Sequence, residues 1–106
     1  MQNDILYIDT SDNKETVVGL LTKGKKYQIS KKTENTWISQ SLLPLIRKIL
    51  TSHQMAFSDI NGIEVVRGPG SFTGLRVGVA VANALGKLLD IPVNGSKDFQ
   101  AEPVYE

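Results

Sequence analysis

The chain has 106 residues, which is enough for one compact domain and too few for two. Hydrophobic residues make up 41% and charged residues 22%, as in ordinary globular proteins, and the formal net charge of +1 gives no indication of a strongly basic nucleic-acid surface. The absence of cysteine and the single histidine, His53, exclude disulfides, thiolate metal sites and histidine-rich metal centres within one chain. No stretch approaches the ~20 apolar residues of a membrane span, so the expected location is the cytoplasm.

Three short strands are predicted at the start of the chain. Asp4 to Asp9 is a short apolar run between polar residues, Thr16 to Leu21 repeats it, and Lys25 to Lys31 alternates polar with apolar residues. The short connections predict an antiparallel meander. Five lysines within residues 23–32 are interpreted as the solvated face and turn of the second strand pair.

The hydrophobic period then changes to that of a helix. Between Thr36 and Gln54, apolar residues recur at steps of three and four, which predicts an amphipathic helix. Pro44 interrupts this pattern, so either a kink or a helix start is expected near it. Ile60 to Val66 is the next predicted strand.

A glycine-rich turn leads into a second predicted helix, Phe72 to Leu89, with Ser71 as its N-cap. Asp90 and Pro92 end this helix, and Ile91 to Asn94 offers a last short strand. The elements together predict an α/β domain with a mixed five-stranded sheet and two main helices, over residues 1–95, followed by a tail at residues 96–106.

The turn itself reads G-P-G-S-F-T-G from Gly68 to Gly74. Proline fixes φ and glycine permits positive φ, so the strand can turn abruptly into the helix. The amides at the helix start could hold an anion, with Gly70 and Ser71 as the residues concerned. The spacing fits neither the Walker pattern nor the dinucleotide fingerprint, so a structural turn is the competing interpretation.

Small residues form one stripe along the second predicted helix, at intervals of four. Glycine inside a helix costs ~1 kcal/mol relative to alanine, so several glycines in one helix need a reason. Two interpretations stay open: close packing on the chain's own sheet or first helix, and close approach of a helix from another chain. The stripe consists of Gly74, Gly78, Ala82 and Gly86.

Four segments, in order, resemble the TsaB family of tRNA threonylcarbamoyladenosine biosynthesis. They are I-L-Y-I-D-T-S at Ile5 to Ser11, S-L-L-P-L-I-R-K-I-L at Ser41 to Leu50, V-V-R-G-P-G-S-F-T-G-L-R-V-G at Val65 to Gly78, and I-P-V at Ile91 to Val93. The resemblance implies an RNase H-like half of the actin, Hsp70 and sugar-kinase type. It also implies a non-catalytic subunit that binds the catalytic relative TsaD, with the ATPase TsaE as a further partner and with tRNA contacted only indirectly.

The resemblance is to the amino-terminal half of the family. Ala101 to Tyr105 is similar to a segment near the far end of full-length members, which suggests an internal deletion. The histidines through which TsaD binds metal have no counterpart, because Ile38 stands at the first-helix position and residues after Pro92 include no histidine. No cofactor is therefore expected.

Two candidate sites follow. Asp9, Thr10 and Ser11 stand where the actin-like fold places its first phosphate loop, although they could simply stabilise a turn. The helices are expected to bind a TsaD-like subunit, or a second copy of the chain in a homodimer. Trp37 is a candidate for this interface, with packing in the core as the equal alternative. The alternative function is a nucleotide hydrolase or peptidase acting on its own, for which no complete catalytic set is present. The expected interface residues are Trp37, Leu42, Leu45, Ile46, Ile49, Gly74, Gly78, Ala82 and Gly86.

Overall fold

A computed structural model of the chain describes residues 3–32 and 38–97. Strand β1 (Ile5–Asp12), strand β2 (Glu15–Thr22) and strand β3 (Lys25–Lys32) are followed by helix α1 (Ile38–Ser52). A short 3-10 turn (Phe57–Asp59) leads to strand β4 (Gly62–Val65) and helix α2 (Phe72–Leu89). The predicted α/β class, the antiparallel meander and the bounds of α2 are confirmed.

The sheet has four strands in the order β3-β2-β1-β4. Neighbours β1–β2 and β2–β3 are antiparallel, whereas β1 and β4 are parallel. Helix α1 carries the chain from β3 at one edge of the sheet to β4 at the other, so that β4 runs in the same direction as β1. The sheet is therefore mixed, as predicted.

The prediction of a fifth strand at Ile91 to Asn94 is wrong, because only Val93 of this segment forms a bridge to the sheet. Val93 pairs in parallel with Ile63, but the chain turns back at once through Asn94 and Gly95, both with positive φ. The side chain of Asn94 continues the pairing in place of a backbone: its amide oxygen accepts from the Val65 N–H at 2.8 Å and its amide nitrogen donates to the Val65 carbonyl at 3.2 Å.

One face of the sheet carries the core. The side chains that alternate to this face on β1 and β2 are fully buried, and both helices pack against it because each presents an apolar stripe. The central residues of this core are Leu6, Ile8, Val18, Leu20, Leu42, Ile46, Ile49 and Ile63.

The opposite face of the sheet is uncovered by any described helix. It presents Ile5, Tyr7 and Val17, which are half-buried, and Leu21, which is 41% exposed. We call this surface the open face. It contrasts with the other face, where both helices exclude water.

Helix α2 is long and apolar enough, by length and composition alone, to cross a membrane. The central helix of a globular domain passes the same test. Here the glycine side of α2 is buried against the chain's own sheet, which accounts for its composition without a bilayer.

Candidate functional site

The end of β1 and the glycine-rich turn meet at one edge of the sheet. The Ser71 N–H donates to the Ser11 carbonyl at 2.7 Å, directly before α2 begins. The structure thus brings together the five residues predicted to surround a nucleotide or anion: Asp9, Thr10, Ser11, Gly70 and Ser71.

The Asp9 carboxylate stabilises the local turn. Its Oδ1 accepts from the Ser11 N–H at 3.0 Å and from the Ser11 hydroxyl at 2.6 Å, while Tyr7 donates to its Oδ2 at 3.5 Å. Desolvation raises the pKa of the Tyr7 hydroxyl above its ordinary value of 10.0, and the charges of Asp9 and Glu64 raise it further. These hydrogen bonds support the interpretation that Asp9 and Ser11 shape a turn.

Ser71 and Gly70 have defined roles in the same turn. The Ser71 hydroxyl caps α2 by accepting from the Gly74 N–H at 3.3 Å, as predicted. Gly70 has φ +158°, and a Cβ placed there would lie 2.6 Å from the Ser11 carbonyl oxygen. Only glycine fits this position, because any side chain would collide with the backbone of β1.

The small-residue stripe of α2 packs inside the chain. Gly74, Gly78, Ala82 and Gly86 are all buried. A Cβ on Gly74 would collide with the Thr10 carbonyl, one on Gly78 with the Thr10 hydroxyl, and one on Gly86 with the Val93 side chain. The Thr10 hydroxyl also donates to the Gly74 carbonyl at 2.5 Å. The interpretation that this stripe meets another chain is therefore corrected: it lets α2 approach the sheet.

The apolar residues predicted for an α1 interface also belong to the core. Leu42, Ile46 and Ile49 are fully buried and Leu45 nearly so, because this stripe of α1 covers the sheet. They too are corrected from interface to core residues. Trp37, the remaining predicted interface residue, lies outside the described residues.

A second apolar stripe lies on the outward side of α2. Its residues recur at the i, i+4, i+7 and i+11 positions that place side chains on one side of a helix. Val77 and Val81 are half-buried and Leu88 is 80% exposed. We call Val77, Val81, Ala84 and Leu88 the outer stripe.

Two further apolar side chains are exposed on the helical side of the molecule. Leu43 on α1 is 46% exposed and Phe72 at the start of α2 is 54% exposed, with the Arg76 guanidinium 5.4 Å from the centre of its ring. This surface was not predicted from the sequence, because the stronger 74-78-82-86 pattern marks the neighbouring, buried side of α2. The spacing of valine and leucine at 77, 81 and 88 was the available signal.

A shallow groove of about 770 Å³ runs beside α1. It is lined by three apolar side chains, two cations and two hydroxyl groups. The lining residues are Leu43, Pro44, Arg47, Lys48, Thr51, Ser52 and Phe57.

The single histidine is part of the C-terminal end of α1. The His53 Nδ1 lies 2.9 Å from the Ile49 carbonyl, and its ring lies 4.3 Å from the Tyr27 ring. Within residues 3–32 and 38–97, no set of three histidine or acidic side chains is close enough to hold a metal ion. The Ser71 hydroxyl caps α2, and the Ser52 hydroxyl, which lies 3.2 Å from His53 Nδ1, donates to the Ile49 carbonyl at 2.8 Å.

Comparison with known proteins finds one matching family model and several proteins of similar sequence. A family model described as TsaD, tRNA N6-adenosine threonylcarbamoyltransferase, matches residues 37–101. The chain is 38% identical over 92 residues to the tRNA threonylcarbamoyladenosine biosynthesis protein TsaB of Buchnera aphidicola, covering 87% of this chain and 41% of that protein. It is 37% identical over 94 residues to the protein of the same name from Haemophilus influenzae, covering 88% and 39%.

A solved structure shares the fold. YeaZ from Pseudomonas aeruginosa superposes with a TM-score of 0.79 at 33% identity, covering 86% of this chain and 43% of that one. The chain thus spans about two fifths of the length of these relatives. The range matched by the family model, 37–101, contains three of the four segments quoted from the sequence: Ser41 to Leu50, Val65 to Gly78 and Ile91 to Val93.

Proposed function

The chain belongs to the TsaB (YeaZ-like) family of tRNA threonylcarbamoyladenosine biosynthesis, and from this membership we propose that it is a non-catalytic subunit that binds and supports a TsaD-like catalytic subunit. The match of residues 37–101 to the TsaD model shows that the chain resembles that family; the choice of a TsaD-like subunit as the partner rests on the resemblance to the TsaB family. A TsaE-like ATPase is proposed as a further member of the complex, and a symmetric homodimer as the state when the catalytic subunit is absent.

The observation that carries the proposal is the outer stripe of α2, whose last two members, Ala84 and Leu88, are exposed. Leu88 is 80% exposed, and it lies in line with Val77 and Val81, which are half-buried and pack against the core. Residues at this spacing share one side of a helix, where a second helix can pack. Contiguous apolar surfaces of this kind commonly mark interaction sites.

The role of Asp9 supports the non-catalytic half of the proposal. A carboxylate in the first phosphate loop would act on a nucleotide through its metal ion, whereas the Asp9 carboxylate accepts three local hydrogen bonds from Ser11 and Tyr7 that account for its position in the turn. A nucleotide pocket also encloses most of its ligand. The described residues around Asp9 form one edge of a sheet, so they provide one wall of such a pocket.

Calorimetric titration against the TsaD-like subunit of the same organism tests the proposal. Leu88→Glu is expected to weaken binding about thirtyfold or more, since removing an interface hot spot costs about 2 kcal/mol and a charge would be buried in the contact. Leu21→Glu is the matched control, because it introduces the same charge at another exposed leucine, on the open face.

The control variant should bind as the wild type does. Equal affinity of the Leu88→Glu variant and the wild type would remove the outer stripe from the interface. A wild-type chain that binds no TsaD-like subunit would contradict the proposed function itself.

A further inference from the structure

The cations of the chain are concentrated on one strand. Lys25, Lys26, Lys31 and Lys32 lie on β3, and Lys23 lies in the turn before it; we call these five the lysine ridge. They account for five of the 12 lysines and arginines, and residues 23–32 contain no acidic residue. A chain of net charge +1 therefore carries a strongly uneven distribution of charge.

The position of β3 makes the ridge accessible. Among the described strands it lies at the edge of the sheet and pairs with β2 alone, and all five lysines are exposed. Because side chains alternate along a strand, Lys26 and Lys32 project on the open face while Lys25 and Lys31 project on the helical side. The charges therefore surround a free edge about 26 Å long, from eight residues at about 3.3 Å each.

The charges of the ridge are not neutralised within the described part of the chain. No ion pair there involves a ridge lysine; the ion pair that is present joins Lys97 to Asp90. The Lys26 ammonium lies over the Tyr7 ring, 4.1 Å from its centre. Acidic side chains lie near both ends of the ridge without forming an ion pair with it: Glu15 is opposite Lys32 across the strands, and Asp4 and Asp59 line one concavity with Lys23.

From this geometry we propose that the lysine ridge binds the phosphate backbone of an RNA directly. The choice of RNA as the polyanion rests on the proposed function in tRNA modification, whereas the ridge itself rests on the structure. Phosphate backbones are held by lysine and arginine without regard to sequence, and a row of exposed lysines supplies this contact.

An acidic protein partner fits the ridge less well. Protein interfaces draw most of their affinity from buried apolar or aromatic anchors. Between Lys26 and Lys32, the open side of β3 carries only Gln28 and Ser30, and both are exposed. The nearest apolar side chains are single ones: Leu21 opposite Lys26, and Tyr27 on the helical side, whose ring packs against that of His53. One or two lysines would suffice to protect an edge strand from aggregation, so five require a further reason.

Fluorescence anisotropy with a labelled tRNA transcript and the purified chain alone tests the proposal. If five phosphates are neutralised, the logarithm of the binding constant should fall with the logarithm of salt concentration with a slope of roughly −3.5 to −4.5 between about 50 and 200 mM salt. The variant Lys25→Gln/Lys31→Gln/Lys32→Gln should bind on the order of 100-fold more weakly at about 0.1 M salt, with the slope reduced by roughly 2 to 3.

The variant Arg47→Gln/Lys48→Gln/Lys87→Gln is the matched control, because it removes three exposed cations from the helices and leaves the ridge intact. It should retain the wild-type slope. Lys25→Arg/Lys31→Arg/Lys32→Arg keeps the charge and should also retain binding. If the triple glutamine variant aggregates, the single variants Lys25→Gln and Lys31→Gln should each reduce the slope by roughly 0.7 to 0.9.

The inference would be overturned if the ridge and control variants lost RNA affinity equally, or if the salt dependence of the ridge variants equalled that of the wild type. It would also be overturned if polyglutamate of equal charge displaced the RNA at equal concentration. The catalytic subunit is absent from this measurement, so its result is independent of the titration that tests the proposed function. A chain that binds the TsaD-like subunit but no RNA would refute the ridge alone.

Discussion

Among single residues, Thr10 shows how closely α2 is packed on the sheet. Its hydroxyl donates to the Gly74 carbonyl at 2.5 Å, and the same hydroxyl occupies the space that a side chain on Gly78 would need. Contact with β1 therefore requires glycine at position 78. The close packing that results offsets the ~1 kcal/mol by which glycine destabilises a helix relative to alanine.

Gly78→Ala tests this contact, because the contact decides whether the substitution raises or lowers the free energy of unfolding. In a solvated helix the change would stabilise by ~1 kcal/mol, whereas here the collision with Thr10 should lower the free energy of unfolding by about 1–3 kcal/mol. In a Thr10→Ala background the colliding hydroxyl is gone, so the same change should be close to neutral. Urea denaturation of the four proteins measures the coupling, and additive effects would contradict the contact.

At the scale of elements, α2 has two different sides and a defined start. Its glycine side lets the helix approach β1, whereas its outer stripe is half-buried at Val77 and Val81 and exposed at Ala84 and Leu88. The start is set by Ser71, whose backbone N–H is held by the Ser11 carbonyl and whose hydroxyl caps the first turn. The same residue thus joins β1 to the beginning of the helix.

Ser71→Ala should lower the free energy of unfolding by about 1 kcal/mol, since the Gly74 N–H would lose its side-chain acceptor. Ser71→Asp restores an acceptor and places a negative charge at the helix N-terminus, so its thermal stability should return to near the wild-type value. Melting temperatures measured by circular dichroism compare the three proteins. Equal losses in both variants would show that the hydroxyl has no capping role.

On the scale of the whole molecule, the described residues form a half-open structure. Helices cover one face of the sheet, while the open face and the lysine ridge remain accessible. The predicted nucleotide residues lie at the edge of this sheet, where Asp9 is already engaged with Ser11. Such a site offers one wall rather than an enclosed cleft.

The purified chain is therefore expected to release phosphate from ATP at less than ~0.1 per second, since ordinary enzymes turn over at about 1 per second or faster. Phosphate release with magnesium and ATP is the measurement, and Asp9→Ala is the control for contaminating activity. Faster release by the wild type that disappears in Asp9→Ala would make the chain an enzyme in its own right.

Much of the fold could be predicted because its signals are local. The apolar runs of β1 and β2, the helical period of α1, and Ser71 before an apolar helix follow from backbone geometry and from the need to bury one side of each element. The segments around the glycine-rich turn also identified the family, since a turn that only glycine can occupy constrains the sequence strongly.

The tertiary structure decided which side of each element faces which neighbour. Composition allowed the Gly74 to Gly86 stripe to meet either the sheet or another chain, and only the position of Thr10 and Val93 assigned it to the interior. The fifth strand likewise depended on the turn at Asn94 and Gly95. A periodic pattern specifies that a surface packs closely, but its partner depends on contacts between residues far apart in the chain.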